Sequence, residues 1–377
     1  MSNPGYDLCL SAGECLMSNR ALRFALFLLL VSGISFSQEA PKTAPLPYDP
    51  LELATGPTLV PDTPDKRALL LNLLERARQN SAMHTPGTAP FNIKVSFNSV
   101  GDSHSSGYGE LEETWLNGQT WLWSARLGDY SQLRIWYQGA AYDEKPHGHM
   151  PLRLQMVRNS VFWPVVGNFA PSLMRMATAK WEGTDVACIL ISGALNEASA
   201  TPGRRWEENE FCIDPKTGLL RIHSEAPGIY SVYDYNGGAQ FHGRMLPRQT
   251  TIVEGGTTVL QIHLDSIEDA NNDPNQFVPT KKMLSHGPGA IMVGPFRFPE
   301  FVRAPTGYSG EIKPVIVHAI LDQKGKVLDA EVVQSSDPAL TAAALGVVWH
   351  SSYAPAERRD RPLQREAFIN VRFTPAS

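Results

Sequence analysis

The sequence has little excess charge of one sign and few cysteines. Its 377 residues carry 33 basic and 38 acidic side chains, a formal net charge of -5, and four cysteines. Charge this mild and mixed gives no electrostatic basis for binding nucleic acid or an anionic membrane surface. A basic stripe with interleaved aromatic residues is missing as well. We therefore expect no nucleic-acid partner.

Motifs that carry catalysis are also missing. The chain has no P-loop, no dinucleotide fingerprint and no G-x-S-x-G nucleophile elbow. The HGH stretch at 147–149 lacks an acidic or thiol partner at metal-ligand spacing and is typical of a solvated loop. The EENE run at 207–210 alternates between strand faces, whereas a paired acid/base site needs converging carboxylates. We expect no enzyme activity, no metal and no cofactor.

Long hydrophobic runs are limited to one segment near the N-terminus. Arg20 and Arg23 precede the apolar run at 24–37, which is followed by Gln38. The run is shorter than the roughly 20 residues that a membrane-spanning helix needs. We interpret 1–37 as a cleavable signal peptide, with the true start possible at Met17, and thus predict export. A retained inner-membrane anchor is the alternative.

Cysteine use agrees with export. Two of the four cysteines lie in the predicted leader, which leaves Cys188 and Cys212 in strand-like runs separated by a loop. Neighbouring strands could bring them together, and a disulfide between them fits an oxidising compartment. Two unpaired buried thiols are the alternative.

The middle of the chain predicts an α+β domain. Residues 38–65 are Pro-rich and are interpreted as an extended tether. Asp65 then offers an N-cap for a helix with a leucine stripe. Strand-like segments, interrupted by a helical or mixed stretch at 151–178, follow as far as residue 280, with Asn117-Gly118 as a hairpin signal. Many sequential strands joined by tight turns predict a large antiparallel sheet, curved by its twist, with one helix lying on it.

Residues 66–280 resemble the lipoprotein-carrier superfamily typified by LolA. The resemblance rests on the leading helix, the meander order, and the pattern GRMLPRQTTIVEGGTTVLQIHLDSIEDANNDPNQFVP at 243–279. It implies an unclosed barrel whose apolar hollow can hold a lipid or acyl chain. The tryptophans that could line such a hollow are Trp115, Trp121, Trp123, Trp136 and Trp163. Ordinary core between the sheet and the helix is the alternative for all five.

The end of the chain predicts a second, small unit. Residues 281–306 are punctuated by Gly and Pro and are interpreted as a linker. In 307–377, two alternating strands surround a turn at 322–325, an alanine-rich helix follows with Pro338 in its first turn, and a last strand closes the chain. The pattern is β-β-α-β.

Residues 307–374 resemble the C-terminal domain of the TonB family. The matching features are Asp322, Gly325, Lys326 and Val327 in the turn, the EVVQSSDPAL and AAALGVVW stretches, and the closing INVRF. In that family an extended peptide from an outer-membrane receptor adds a strand beside the last strand of the sheet. The resemblance therefore implies a partner-binding edge made of Phe368, Ile369, Asn370, Val371, Arg372 and Phe373. Cover of this edge by the first domain, or by a second copy in a homodimer, is the alternative.

The sequence thus predicts an exported periplasmic binding protein without catalysis, whose last domain docks a cell-envelope protein such as an outer-membrane receptor. One alternative is a membrane-anchored TonB-family energy transducer. The leader looks cleavable, however, and the tether of about 25 residues would reach only about 75 Å as polyproline II. A lipid or lipoprotein carrier is the second alternative.

Overall fold

The computed structural model describes residues 58–59, 63–101, 106–144, 149–169, 173–181, 183–192, 204–271, 273–288, 295–354 and 364–375. The predicted signal peptide, its possible start at Met17, and most of the predicted tether lie outside the described residues. The described part of the chain belongs to one compact unit.

Most of the described chain forms one long antiparallel sheet. Its strands in chain order, with a small separate hairpin (β12 and β13) included, are β1 (Thr58–Leu59), β2 (Phe91–Ser99), β3 (Gly107–Asn117), β4 (Thr120–Leu127), β5 (Tyr130–Tyr137), β6 (Ala140–Asp143), β7 (Leu173–Trp181), β8 (Thr184–Ser192), β9 (Asn209–Ile213), β10 (Leu220–Ala226), β11 (Ile229–Asp234), β12 (Ala239–Phe241), β13 (Arg244–Leu246), β14 (Gln249–Glu254), β15 (Thr257–Asp269) and β16 (Leu284–Pro288). The 14-stranded order within the described residues is β1-β7-β8-β9-β10-β11-β14-β15-β2-β3-β4-β5-β6-β16. The sheet is unclosed, with β1 and β16 at its ends, which confirms the predicted fold class.

The alternating sequence pattern explains how these strands form. In β2, Phe91, Ile93, Val95 and Phe97 are buried on one face while the residues between them are more exposed. A period of two places every second side chain on the same face of a strand. The Asn117-Gly118 signal lies at the turn between β3 and β4, where Trp115 faces Trp121. This part of the sequence prediction is confirmed.

Two helices cover the large sheet. Helix α1 (Pro64–Ser81) begins after Thr63 rather than at the expected Asp65, and it packs on the β7–β11 half of the sheet through Leu70, Leu73, Leu74 and Ala77. Helix α2 (Leu152–Phe162) packs on β2, β4 and β15 and is buried nearly all round. The sequence predicts one helix on the sheet and leaves 151–178 as a helical or mixed stretch, because α2 has no polar face to give it a clear helical pattern.

The C-terminal unit is a four-stranded sheet with a helix on one face. It consists of β17 (Phe296–Arg303), β18 (Val315–Asp322), β19 (Val327–Gln334), helix α3 (Pro338–His350) and β20 (Gln364–Thr374). The Asp337 carboxylate caps α3 by accepting hydrogen bonds from the backbone N–H groups of Ala339 at 2.7 Å and Leu340 at 3.3 Å. The predicted β-β-α-β unit is confirmed.

The segment interpreted as a linker is more ordered than expected. Within 281–306, β16 pairs with β6 of the large sheet and β17 pairs with β20 of the small sheet. The strand order of the small sheet is β17-β20-β18-β19. The segment therefore contributes one strand to each sheet.

Both faces of the small sheet are buried. One face packs on α3 through Val315, Val317 and other apolar side chains. The opposite face, with Ile316, Ile320 and Phe368, joins the main core of the large sheet. The small sheet is therefore a middle layer between α3 and the large sheet.

Candidate functional site

The last strand, β20, is paired on both of its sides. Phe368 lies opposite His318 of β18 in an antiparallel ladder and opposite Arg297 of β17 in a parallel ladder. The expectation that 368–373 form a free edge is therefore wrong for this structure. The sequence does not predict the covering strand β17, because Pro299 interrupts it. Proline is nevertheless compatible with an edge strand, where no ladder hydrogen bond needs its missing N–H.

Strand β17 buries little apolar surface. Phe296 and Phe301 are 41% and 64% exposed, and Pro299 and Arg303 are exposed as well. In β18 and β20, by contrast, nearly every side chain is buried. An edge strand that buries so little apolar surface gains little hydrophobic stabilisation. The ladder to β20 and a few anchoring side chains carry most of its attachment.

The main anchor of β17 is Arg297. Its guanidinium donates hydrogen bonds to the backbone carbonyls of Trp206 at 3.1 Å and Glu225, and to Oδ1 of Asn209 at 2.8 Å. It also lies over the ring of Phe368, 5.5 Å from the centroid. Burial lowers the pKa of Arg297 to about 10, so the side chain remains charged at neutral pH. The socket that holds it is built from both sheets.

Beside this socket lies a buried ionic network at the junction of the two sheets. Nε2 of His318 lies 2.6 Å from Oε1 of Glu366, and Nδ1 lies 3.3 Å from Oε1 of Glu254. Glu254 also pairs with Arg153 of α2. Burial opposes the charged imidazolium, but the two carboxylates outweigh it and raise the pKa of His318 to about 9. Burial, with the nearby Glu366, raises the pKa of Glu225 to about 8.

Further contacts fasten the small sheet to α2 and to the large sheet. Gln364 exchanges two hydrogen bonds with the backbone of Met150, at 2.8 and 3.0 Å. The backbone N–H of Leu152 donates to Oδ2 of Asp329 at 3.1 Å. Buried polar groups with several partners fix relative orientation, because loss of one partner leaves another group unsatisfied.

The tryptophans predicted to line a hollow surround a protein side chain. Trp115, Trp121 and Trp123 are buried, while Trp136 and Trp163 are partly buried against the same core. The guanidinium carbon of Arg158, on α2, lies 5.6, 4.6 and 4.9 Å from the ring centroids of Trp121, Trp123 and Trp163. Arg158 of α2 therefore fills the space between these three rings, and all five tryptophans lie in or against the main core.

The two remaining cysteines form a disulfide. Cys188 of β8 and Cys212 of β9 face each other in the ladder with a Cα–Cα distance of 3.9 Å, and both are fully buried. Glu210 lies close enough to form a metal-like cluster with the two sulfurs. Because the sulfurs are bonded to each other they are not thiolate ligands, and Glu210 pairs with Arg204 at 3.1 Å.

A groove of about 550 Å³ crosses the outer face of β2–β5. Its charged side chains pair with each other, Lys94 with Glu112 at 3.3 Å and Arg126 with Glu110 at 2.9 Å. Both pairs are exposed to solvent, where such pairs are weak. The groove is thus a solvated face of the sheet, and the junction around Arg297 is the more specific site.

Sequence reasoning missed this junction, although one signal was present. The run at 315–321 is apolar on both strand faces, with His318 as the one polar side chain. A strand that is apolar on both faces is covered on both. The run therefore indicated that a second layer lies opposite α3. The anchoring role of Arg297 had no comparable signal in the sequence.

The family comparison agrees with the end of the chain. Residues 307–375 match the family model described as Gram-negative bacterial TonB protein C-terminal. The match confirms the TonB-type resemblance of this unit and supports an envelope-associated binding protein. No curated protein matches the chain.

Two solved structures resemble the chain in outline. A LolA superfamily protein from Nitrosomonas europaea is 11% identical over 55% of this chain and 97% of its own, with a TM-score of 0.37. A domain described as an outer membrane lipoprotein-sorting protein from Vibrio parahaemolyticus is 8% identical over 56% of this chain and 95% of its own, with a TM-score of 0.34. At these scores the likeness carries no argument about function.

Among the described residues, no helix combines the length and the apolar character that a bilayer span requires.

Proposed function

We propose that this chain is an exported, periplasmic binding protein without catalytic activity. Its C-terminal sheet docks an extended segment of a cell-envelope protein by strand addition, either beside β17 or in its place. The supporting observation is that β17 is an edge strand with four exposed side chains out of eight, Phe296 and Phe301 among them. Main-chain groups at such an edge pair readily with another strand.

The large sheet serves as a rigid base in this proposal. Buried contacts from His318 to Glu254 of the large sheet and from Glu366 to Asn159 of α2 join the layers, so a peptide bound at the small sheet is presented in a fixed orientation. The carrier alternative receives less support, because α2 fills the space between the predicted tryptophans. The transducer alternative depends on residues 1–37, which lie outside the described part.

Photo-cross-linking in a Gram-negative cell tests the proposal. A photoreactive phenylalanine analogue is placed in turn at Phe301 on β17 and at the exposed Arg372 on β20, because a partner that adds beside β17 contacts the first position and one that replaces β17 contacts the second. The matched control places it at Leu69 on α1, which is exposed at 67% against 64% for Phe301. We expect an adduct of defined mass at 301 or at 372 and not at 69. Mass spectrometry should map the cross-link to an extended segment of an envelope protein. Equal adducts at all three positions, or none at 301 and 372, would contradict the docking role.

A further inference from the structure

We propose that β17 is an internal substitute for the external ligand, and that this ligand is an extended peptide carrying an arginine between two aromatic residues. The ligand docks on β20 after it displaces β17. The inference rests on the proposed function and narrows it, because it commits the partner to the inner edge and to a defined chemistry.

The first support is the position of β17. It forms a parallel ladder with β20 from Phe296 opposite Ala367 to Arg303 opposite Thr374. In the turn that follows, the backbone N–H of Ala304 donates to the carbonyl of Thr374 at 2.8 Å, and the Thr374 hydroxyl donates to the carbonyl of Val302 at 3.3 Å. β17 therefore occupies β20 in the way that an added peptide strand would.

The second support is the socket around Arg297. Three acceptors from the large sheet, two carbonyls and the Asn209 amide oxygen, converge on one guanidinium. A planar fork of several donors matches such a set, whereas an ammonium group does not. The nearby Glu207 and Glu366 favour the cation electrostatically, whereas Arg204 opposes it. The socket therefore selects arginine at this position of any strand that lies on β20.

The third support is the pair of aromatic residues on either side of Arg297. The ring of Phe298 lies 5.0 Å from that of Tyr353 in the small core. The ring of Phe296 lies under the guanidinium of Arg365, 4.9 Å from its centroid, and stacks on Phe298. Each contact stabilises an aromatic side chain at a fixed register. A displacing peptide gains most by reproducing the aromatic–arginine–aromatic order.

Displacement of β17 is possible because the strand by itself is weakly bound. Its tether opposes displacement, because it keeps β17 at a high local concentration. A tethered segment competes at an effective concentration on the order of millimolar, without forming any additional contact. β17 thus excludes weak or incorrect peptides. Only a ligand with a better fit to the socket, or one presented at high local concentration, replaces it.

The test uses the full chain and a labelled synthetic peptide of residues 295–304. Arg297→Ala in the chain weakens the internal strand and empties the socket. We expect this variant to bind the arginine-containing peptide at least about tenfold more tightly than the same peptide with alanine at that position. The wild-type chain should bind both weakly. Fluorescence anisotropy measures the affinities.

An engineered disulfide that locks β17 onto β20, here called the staple, provides the control. Phe301 and Arg372 are register partners on neighbouring strands, which lie about 4.8 Å apart and suit a disulfide. Phe301→Cys with Arg372→Cys, added to Arg297→Ala, should abolish peptide binding, whereas Arg372→Cys alone should not. If Arg297→Ala does not fold, Arg297→Lys keeps the charge without the fork and should show the same preference.

Three results would overturn the inference: equal binding of the two peptides, binding that survives the staple, or a dimer in which two chains exchange β17. None of these results affects the cross-linking experiment in cells. If cross-linking succeeds at position 301 while the peptide experiment fails, the partner adds beside β17 and the proposed function stands. If cross-linking fails at both 301 and 372, the proposed function fails irrespective of the peptide result.

Discussion

Replacement of His318 by glutamine tests the junction between the two sheets. The wild-type imidazolium is buried between Glu254 and Glu366, and its pKa is raised from 6.5 to about 9. At about 1.4 kcal/mol for each pH unit, this difference corresponds to about 3 kcal/mol of stability. Because the folded pKa is raised, that stability is fully present below pH 6.5 and is lost as the pH rises through 9. His318→Gln should therefore cost about 3 kcal/mol at pH 6 and less than about 1 kcal/mol at pH 9.5.

Urea unfolding at the two pH values measures these free energies. Two other ionisable groups lie close to His318. The pKa of Glu225, near 8, falls in the same pH range, and Arg153 pairs with Glu254. The variant is therefore compared with the wild type at each pH, so that the shared titrations largely cancel. His263→Gln, at an exposed histidine on β15, is the control and should change stability by less than about 0.5 kcal/mol. A His318→Gln penalty that is equal at both pH values, or larger at pH 9.5, would show that the charged imidazolium does not stabilise the junction.

Three further changes test other contacts. Gly228→Ala places a methyl group 2.1 Å from a backbone carbonyl of β19. In paired thermal melts it should destabilise the protein by about 1–3 kcal/mol more than Gly237→Ala, a position with a similar positive φ but open space around it. Equal shifts would mean that the two sheets do not meet there. Cys188→Ala with Cys212→Ala should lower the unfolding free energy by about 3 kcal/mol, given a sequence separation of 24, and an unchanged urea midpoint would argue against the disulfide. Asp337→Ala should cost about 1 kcal/mol by removing the cap of α3, whereas Asp337→Asn should stay close to the wild type in the same assay.

Local patterns in the sequence were sufficient to predict much of the fold. Period-two alternation in β2 and the Asn117-Gly118 turn fixed strands and hairpins, because both depend on neighbours along the chain. Pro338 likewise marked the first turn of α3. The small β-β-α-β unit could be predicted because its capping, turn and burial patterns are all short-range.

The junction could not be predicted in the same way. The pairing of β17 with β20 joins segments about 70 residues apart, and the contacts of Arg297 reach residues still further back in the chain. Pro299 favoured the interpretation of 281–306 as a linker, because local sequence propensity does not show which sheet edge a strand will pair with. The burial of α2 was hidden for a related reason: a helix covered on all sides has no amphipathic period.

If β17 is displaceable, it must open from β20 while the rest of the chain stays folded, and native-state hydrogen exchange of the wild-type chain detects such opening. Amides of β17 that donate to β20 should exchange at least about a hundredfold faster than those in the ladder between β18 and β20, because they open locally while the rest stays folded. Exchange of β17 as slow as that of β18, through global unfolding alone, would contradict the claim.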